Sequence, residues 1–319
     1  MSMRVAAIFP GQGAQQVGMG KALAEKSVRA RHLFQEADDA LGFSLTQLMF
    51  AGPQEKLTLT YHAQPAILAV SYALYLEWQE YGITPAAVAG HSLGEYTALV
   101  ASGALSFTDA IRLVHQRGLY MEEAVPVGLG SMAAVIGLDG SEVEAMCQAF
   151  SQKEKVVEAA NFNSPGQVVL SGHRMAVEAM GVQMKEQGAR RVLPLDVSGP
   201  FHSSLMKPAA DKLEASLEQV SLSELTIPVI SNVTARPHKN EASSIKHLLV
   251  EQVTSPVRWE ESVSYMASEG INAFVELGPG KVLTGLVKRT ARGADAFSVQ
   301  DPSSLEQAQA WSSSTQTGG

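Results

Sequence analysis

Gly90-His91-Ser92-Leu93-Gly94-Glu95 follows a short apolar run, Ala86 to Ala89, and sets one serine between two glycines. G-x-S-x-G after a strand is the form of a nucleophile elbow. The glycines permit a sharp strand-to-helix turn, and the serine oxygen is held out at the carboxyl end of the strand. Leu93 then opens a helix, so its backbone N–H is among the donors that a first helical turn leaves free, at the positive end of the helix dipole. A free donor beside a nucleophile is half of an oxyanion hole. An ordinary glycine-containing loop before a helix from Leu93 to Ser102 fits the same residues, and the rest of the chain has to decide.

Upstream of the elbow, Val5 to Phe9 reads as a buried strand stopped by Pro10-Gly11. The loop Gly11-Gln12-Gly13 lacks the third glycine of G-x-G-x-x-G and the Gly-Lys-Ser/Thr of a P-loop, which rejects nucleotide binding and leaves Gln12 at the tip of a close-approach turn. Helical spacing predicts helices over Lys21 to Leu41, Leu45 to Phe50 and, after Pro65, Ala66 to Tyr81. Downstream, Thr108 reads as the cap of a helix from Asp109 to Ala124. Its inner stripe is Ile111, Val114, Gly118 and Met121. Arg117 lies beside that stripe, where it either snorkels or pairs with an anion.

From Val127 to Val197 the rhythm becomes β-α-β-β-α-β, the split arrangement of a ferredoxin-like unit. The expected architecture is therefore α/β. An α/β-hydrolase-like core with a parallel sheet is built from residues 1–126 and 198–300, and 127–197 form an inserted small subdomain. Beyond it come Phe201 and His202 in a Gly-Pro-flanked loop, a helix from Ile245 to Val253 that presents Gln252, and the turn Gly278-Pro-Gly280 before another helix. Residues 301–319 are expected to form a tail that is partly disordered, over the Ser/Thr/Gln/Gly-rich end Ser312 to Gly319.

Composition narrows the function. Of 319 residues, 45% are hydrophobic and 18% charged, the balance of a globular enzyme, and the net charge of −8 with no dense basic run argues against a nucleic-acid partner. No apolar run reaches membrane-spanning length and the amino terminus lacks a signal-peptide core, so the cytoplasm is expected. The single cysteine, Cys147, sits on a helical apolar face and reads as packing. Neither Cys-x-x-Cys nor His-Glu-x-x-His occurs, so no metal site is expected.

A serine hydroxyl needs a base within hydrogen-bond reach. Of the eight histidines, His32, His62, His173, His238 and His247 have polar neighbours that suggest solvated surface, and His115 lies on the Arg117 helix. His91 adjoins the serine on a sharp turn and lines the site rather than deprotonating it. His202 is the best candidate, downstream in chain order as in α/β-hydrolase sites.

Phe9-Pro-Gly-Gln-Gly13, Gly90 to Glu95, Gln116-Arg-Gly118, Asn161-Phe-Asn-Ser-Pro-Gly-Gln167, Gly199-Pro-Phe-His-Ser203 and Glu276-Leu-Gly-Pro-Gly280 together resemble the malonyl-CoA:acyl-carrier-protein transacylases of bacterial type II fatty acid synthesis. Polyketide synthase acyltransferase domains are close relatives. The resemblance implies that Ser92 carries malonyl as an ester, that His202 is the general base, and that the main-chain carbonyl at Gln252 orients it. It further implies an oxyanion hole from the backbone N–H groups of Gln12 and Leu93, and pairing of Arg117 with the free carboxylate of malonate. Phe201 matches a position associated with malonyl over methylmalonyl, and Met121 and Asn161 are expected to line the pocket. Ala14 departs from the serine that many relatives carry, without touching the role of Gln12. The implied partners are malonyl-CoA and acyl carrier protein, with no cofactor and a monomeric enzyme. A stand-alone polyketide synthase acyltransferase, with the same chemistry and another carrier, is the alternative.

Overall fold

The computed structural model describes residues 3–152 and 155–316. β1 (Val5–Phe9) leads through the Pro10–Gly13 loop into α1 (Lys21–Lys26), α2 (Val28–Leu41), α3 (Leu45–Ala51), α4 (Gln54–Thr58) and α5 (Thr60–Gln79). β2 (Ala87–Gly90) feeds α6 (Leu93–Ala101) and α7 (Phe107–Glu123). There follow β3 (Gly130–Ile136), α8 (Gly140–Phe150), β4 (Val157–Ser164), β5 (Gln167–His173), α9 (Arg174–Glu186) and β6 (Arg191–Pro194). The chain continues through α10 (Lys207–Glu218), β7 (Val229–Ile230), α11 (Ala242–Gln252), β8 (Val257–Arg258) and α12 (Trp259–Ser268). It ends with β9 (Ala273–Leu277), α13 (Val282–Thr290), β10 (Asp295–Val299) and α14 (Pro302–Gln316).

The first sheet has the order β10-β9-β1-β2-β7, and every pairing in it is parallel. β1 and β2 at its middle are continuous buried apolar runs because both faces are covered there, as in parallel sheets generally. Ala6 and Ile8 of β1 point to one face, where Phe274, Val263 and Trp259 pack. Ala7 and Phe9 point to the other, against Val88, Leu68 and Leu99. The α/β class read from the sequence is the one observed.

The second sheet has the order β6-β3-β5-β4-β8. Its first four members come from the β-α-β-β-α-β stretch and pair antiparallel, whereas β8 joins β4 in parallel from a segment outside residues 127–197. Cys147 is buried under this sheet with Val143 and Met180, and burial pushes its thiol up to about 12.

Several element boundaries differ from expectation. The helix expected over Lys21 to Leu41 breaks at Ser27, whose side chain accepts from Ala30 N at 3.0 Å and caps α2. The cap of α7 is Ser106, not Thr108; Ser106 accepts from Asp109 N at 3.1 Å. α5 begins before Pro65 instead of after it. Proline removes the donor that Tyr61 O would receive inside the helix, and His115 Nδ1 on α7 lies 2.7 Å from that oxygen. α7 comes this close because Gly118 has no Cβ: one built there would lie 2.5 Å from Tyr61 Cα.

In the tail, the expected partial disorder falls on Ser312 to Gly319, and the chain before it is ordered as a helix. α14 continues to Gln316, held by buried Leu305 and Ala308 and by Trp311 against Phe297 at 4.3 Å between ring centres. Residues 317–319 lie outside the described residues. Among the described residues no helix is long and apolar enough to cross a membrane.

Candidate active site

The loop after β1, the turn after β2 and Asn232 just beyond β7 meet at the carboxyl ends of neighbouring parallel strands, the usual place for a ligand crevice in such sheets. The elbow is as tight as its glycines allow. A Cβ on Gly90 would sit 1.9 Å from the Gly94 carbonyl carbon, and one on Gly94 would sit 2.1 Å from Phe9 O. Ser92 itself has φ 52° and ψ −105°, strain that persists only where surroundings impose it. Asn232 imposes it, since its Oδ1 accepts from Ser92 N at 2.6 Å and its Nδ2 donates to Gly90 O at 2.7 Å.

His202 is likewise in the left-handed region, at φ 57°. Its Nε2 lies 2.7 Å from Ser92 Oγ and its Nδ1 2.8 Å from the main-chain oxygen of Gln252. A carbonyl accepts only, so Nδ1 carries the hydrogen and Nε2 is bare, the tautomer that takes a proton from serine. Burial, reinforced by the Arg117 charge, pushes the imidazole down to about 3 and keeps it neutral.

Arg117 is 1% exposed. Its Nη1 donates to Gln64 Oε1 at 2.8 Å, and its Nη2 donates to Gln252 Oε1 at 2.8 Å and to Ser92 Oγ at 3.1 Å. The guanidinium also lies over the Tyr96 ring, 5.3 Å from its centre, and Nε has no hydrogen-bond partner among the described residues. Of the two readings of Arg117, snorkelling to solvent is excluded by this burial.

The Gln12 side chain is tied back by Nε2 donating to Thr60 Oγ1 at 3.2 Å, and the Gln12 and Leu93 N–H groups have no protein acceptor among the described residues. Both flank a cavity of about 320 Å³ that also takes in Ser92, Arg117, His202, His91, Phe201, Met121 and Asn161. Each site residue expected from the sequence except Gln252 lines that cavity, and Gln252 stands directly behind His202 and Arg117. His91 turns away from Ser92 and meets Asn163 Oδ1 through Nε2 at 2.8 Å. Leu283 and Leu286 of α13 close one side. That helix is held by Glu276, whose carboxylate accepts from Leu283 N at 3.1 Å and Thr284 N at 2.7 Å.

Sequence reasoning missed Asn163 in the cavity wall and the layer behind it: Gln64, Asn232, Glu95 and His238. His238 was expected on solvated surface, yet its side chain is fully buried, with Nε2 2.6 Å from Glu95 Oε1. Its polar neighbours in sequence mislead because His238 N pairs with Val229 O and draws the residue against β7. A signal for Glu95 and Gln64 did exist. α6, which carries Glu95, is apolar nearly all round and buried at every position, and α5, which carries Gln64, is buried along most of its length.

The acyl transferase domain family matches residues 7–308. The chain belongs to the acyl transferase family. This acyl transferase is 50% identical over 303 residues to the malonyl CoA-acyl carrier protein transacylase of Bacillus subtilis, with 95% of each chain covered. It superposes with a TM-score of 0.92 on an acyl carrier protein S-malonyltransferase from Vibrio cholerae, at 46% identity, covering 96% of this chain and 99% of that one. A malonyl-transacylase solved in complex with its type II PKS acyl-carrier protein gives a TM-score of 0.93 at 45% identity, with 96% and 99% covered.

Proposed function

We propose that this acyl transferase moves malonyl from malonyl-CoA to the phosphopantetheine thiol of an acyl carrier protein and so supplies fatty acid elongation. Ser92 Oγ gives its proton to His202 Nε2 and attacks the thioester carbonyl. The oxyanion that develops is met by the N–H groups of Leu93 and Gln12. The C–S bond breaks, His202 protonates the departing CoA thiolate, and malonyl remains as an ester on Ser92. The carrier thiol then enters by the same steps in reverse order, giving its proton to His202 as it attacks.

The observation that carries this reading is the 3.1 Å contact between Arg117 Nη2 and Ser92 Oγ. A buried guanidinium beside a nucleophile suits an acyl group that ends in a carboxylate, and its planar fork matches that carboxylate. His91, Phe201, Met121 and Asn161 shape the acyl pocket in this reading, and Gln252 orients the base. The reaction calls for no cofactor, and the enzyme works as a cytoplasmic monomer. The division into a core of residues 1–126 and 198–300 and a small unit of 127–197 belongs to the same proposal. Its support is that β3 to β6 all fall inside the small unit.

The deciding experiment incubates the protein with malonyl-CoA and maps adducts by peptide mass spectrometry. A malonyl group on the Ser92 peptide is expected, discharged on addition of holo acyl carrier protein. No adduct overturns the proposal, and rapid release of free malonate without a carrier would make the protein a hydrolase.

A further inference from the structure

We propose that Glu95 is a positioning residue of this site, a buried counter-charge that acts through the Gln252 amide to hold Arg117 ready for a substrate carboxylate. The proposal rests on the malonyl-transfer reading above. Glu95 lies one helical turn beyond Ser92 and is fully buried. Its Oε2 accepts from Gln252 Nε2 at 2.7 Å and from Asn232 N at 3.1 Å, and its Oε1 meets His238 Nε2 at 2.6 Å.

The Gln252 amide has two unlike ends, and each faces an ion. A guanidinium only donates, so the end toward Arg117 must be Oε1, at 2.8 Å; the end toward Glu95 must then be Nε2. Turning the amide over would set its carbonyl against a carboxylate and its NH2 against a guanidinium. Gln252 Nε2 also donates to Ser92 O at 3.0 Å, and its main-chain oxygen takes the His202 hydrogen. One residue thus joins nucleophile, base and anion receiver, and Glu95 sets which way its side chain points. Glu95 also supplies a negative charge for Arg117 inside a region where an uncompensated cation is costly. A residue that served only to fill space would need neither the charge nor the amide between them.

The test measures kcat and KM for malonyl-CoA and acetyl-CoA with Glu95→Gln, Gln252→Met and the double variant, each checked for folding by thermal melting. Gln252→Met keeps the main-chain carbonyl that orients His202. Glu95→Gln is expected to lower kcat/KM for malonyl-CoA about tenfold more than for acetyl-CoA. The change should fall mainly on KM, because the carboxylate contact is made before the transition state as well as in it. Gln252→Met should show the same loss of preference, and the double variant should be no worse than Gln252→Met alone. Equal losses on both thioesters overturn the proposal, and so does a double variant whose effects simply add. Should Glu95→Gln not fold, Gln252→Met decides alone: a fully retained malonyl preference overturns the proposal. A parent protein that forms no malonyl ester instead removes the function on which this inference stands.

Discussion

Arg117 Nη2 and Ser92 Oγ are hydrogen-bonded at 3.1 Å, so the group suited to a substrate carboxylate already touches the group suited to attack. Arg117→Ala should therefore depress malonyl transfer by about a hundredfold, the effect of removing one partner of a desolvated charge pair. Acetyl transfer, which offers no anion, should fall much less. Steady-state kcat/KM on the two thioesters checks this, and equal losses would remove the assigned role.

The acid limb of the pH profile should be displaced. Burial first, and the Arg117 charge second, hold His202 far below its ordinary value of 6.5, at about 3. A general base acts in its neutral form, so kcat/KM should stay level as pH falls through 6.5 and decline only toward the lowered value. Arg117→Ala removes the second cause and should move that limb back toward neutrality. The same depression makes His202 favour the folded state fully above 6.5, and that contribution is lost as pH falls from 6.5 toward 3. His202→Gln should accordingly lower the pH at which the protein unfolds in acid, as followed by circular dichroism.

Phe201 forms part of the cavity wall and is 6% exposed, its ring 3.2 Å from where a Gly199 Cβ would stand. Phe201→Ala should admit a branched α-carbon and shift the malonyl to methylmalonyl ratio by about tenfold. Its melting temperature should fall as well, since such truncations cost about 3 kcal/mol. Competition between the two thioesters, with products separated by mass, gives the ratio directly. An unchanged ratio would show that the ring does not set selection.

Gly90→Ala tests the elbow itself. The added Cβ would meet the Gly94 carbonyl carbon at 1.9 Å, backbone against backbone, where no rotamer can give way. The expected cost is more than about 3 kcal/mol. Urea unfolding measures it, and a variant with the parent midpoint would refute the tight turn.

The parts of the site legible in sequence are those where chemistry and chain geometry coincide. Ser92 is announced by glycines the turn cannot do without, and His202 by an irregular Gly-Pro-flanked stretch. Arg117 was only half legible, because a helix position beside the apolar stripe suits both snorkelling and pairing until the neighbouring helix is placed. Glu95 lay inside the first stretch read, yet a glutamate in a first helical turn also fits a solvent-facing partner for the helix dipole. Its partners, the Gln252 side chain and the Asn232 main-chain N–H, are more than a hundred residues away in the chain. The boundary errors share one cause. Ser27 and Ser106 caps, and the Tyr61 carbonyl served by His115 across two helices, are hydrogen bonds that periodicity does not register.

β8 adds backbone pairing to the shared core in which Met132, Ala160 and Val169 of the second sheet already pack with the first. Val257 pairs with Asn161 in the pocket wall, Arg258 N donates to Asn232 O at 2.9 Å, and Gln252 ends the helix just before them. A swing of the second sheet away from the first would pull on the segment that orients His202 and on the residue that pins the Ser92 backbone. One short connection thus carries the Asn161 wall of the pocket, the carbonyl that holds His202 and a contact to the residue that pins Ser92.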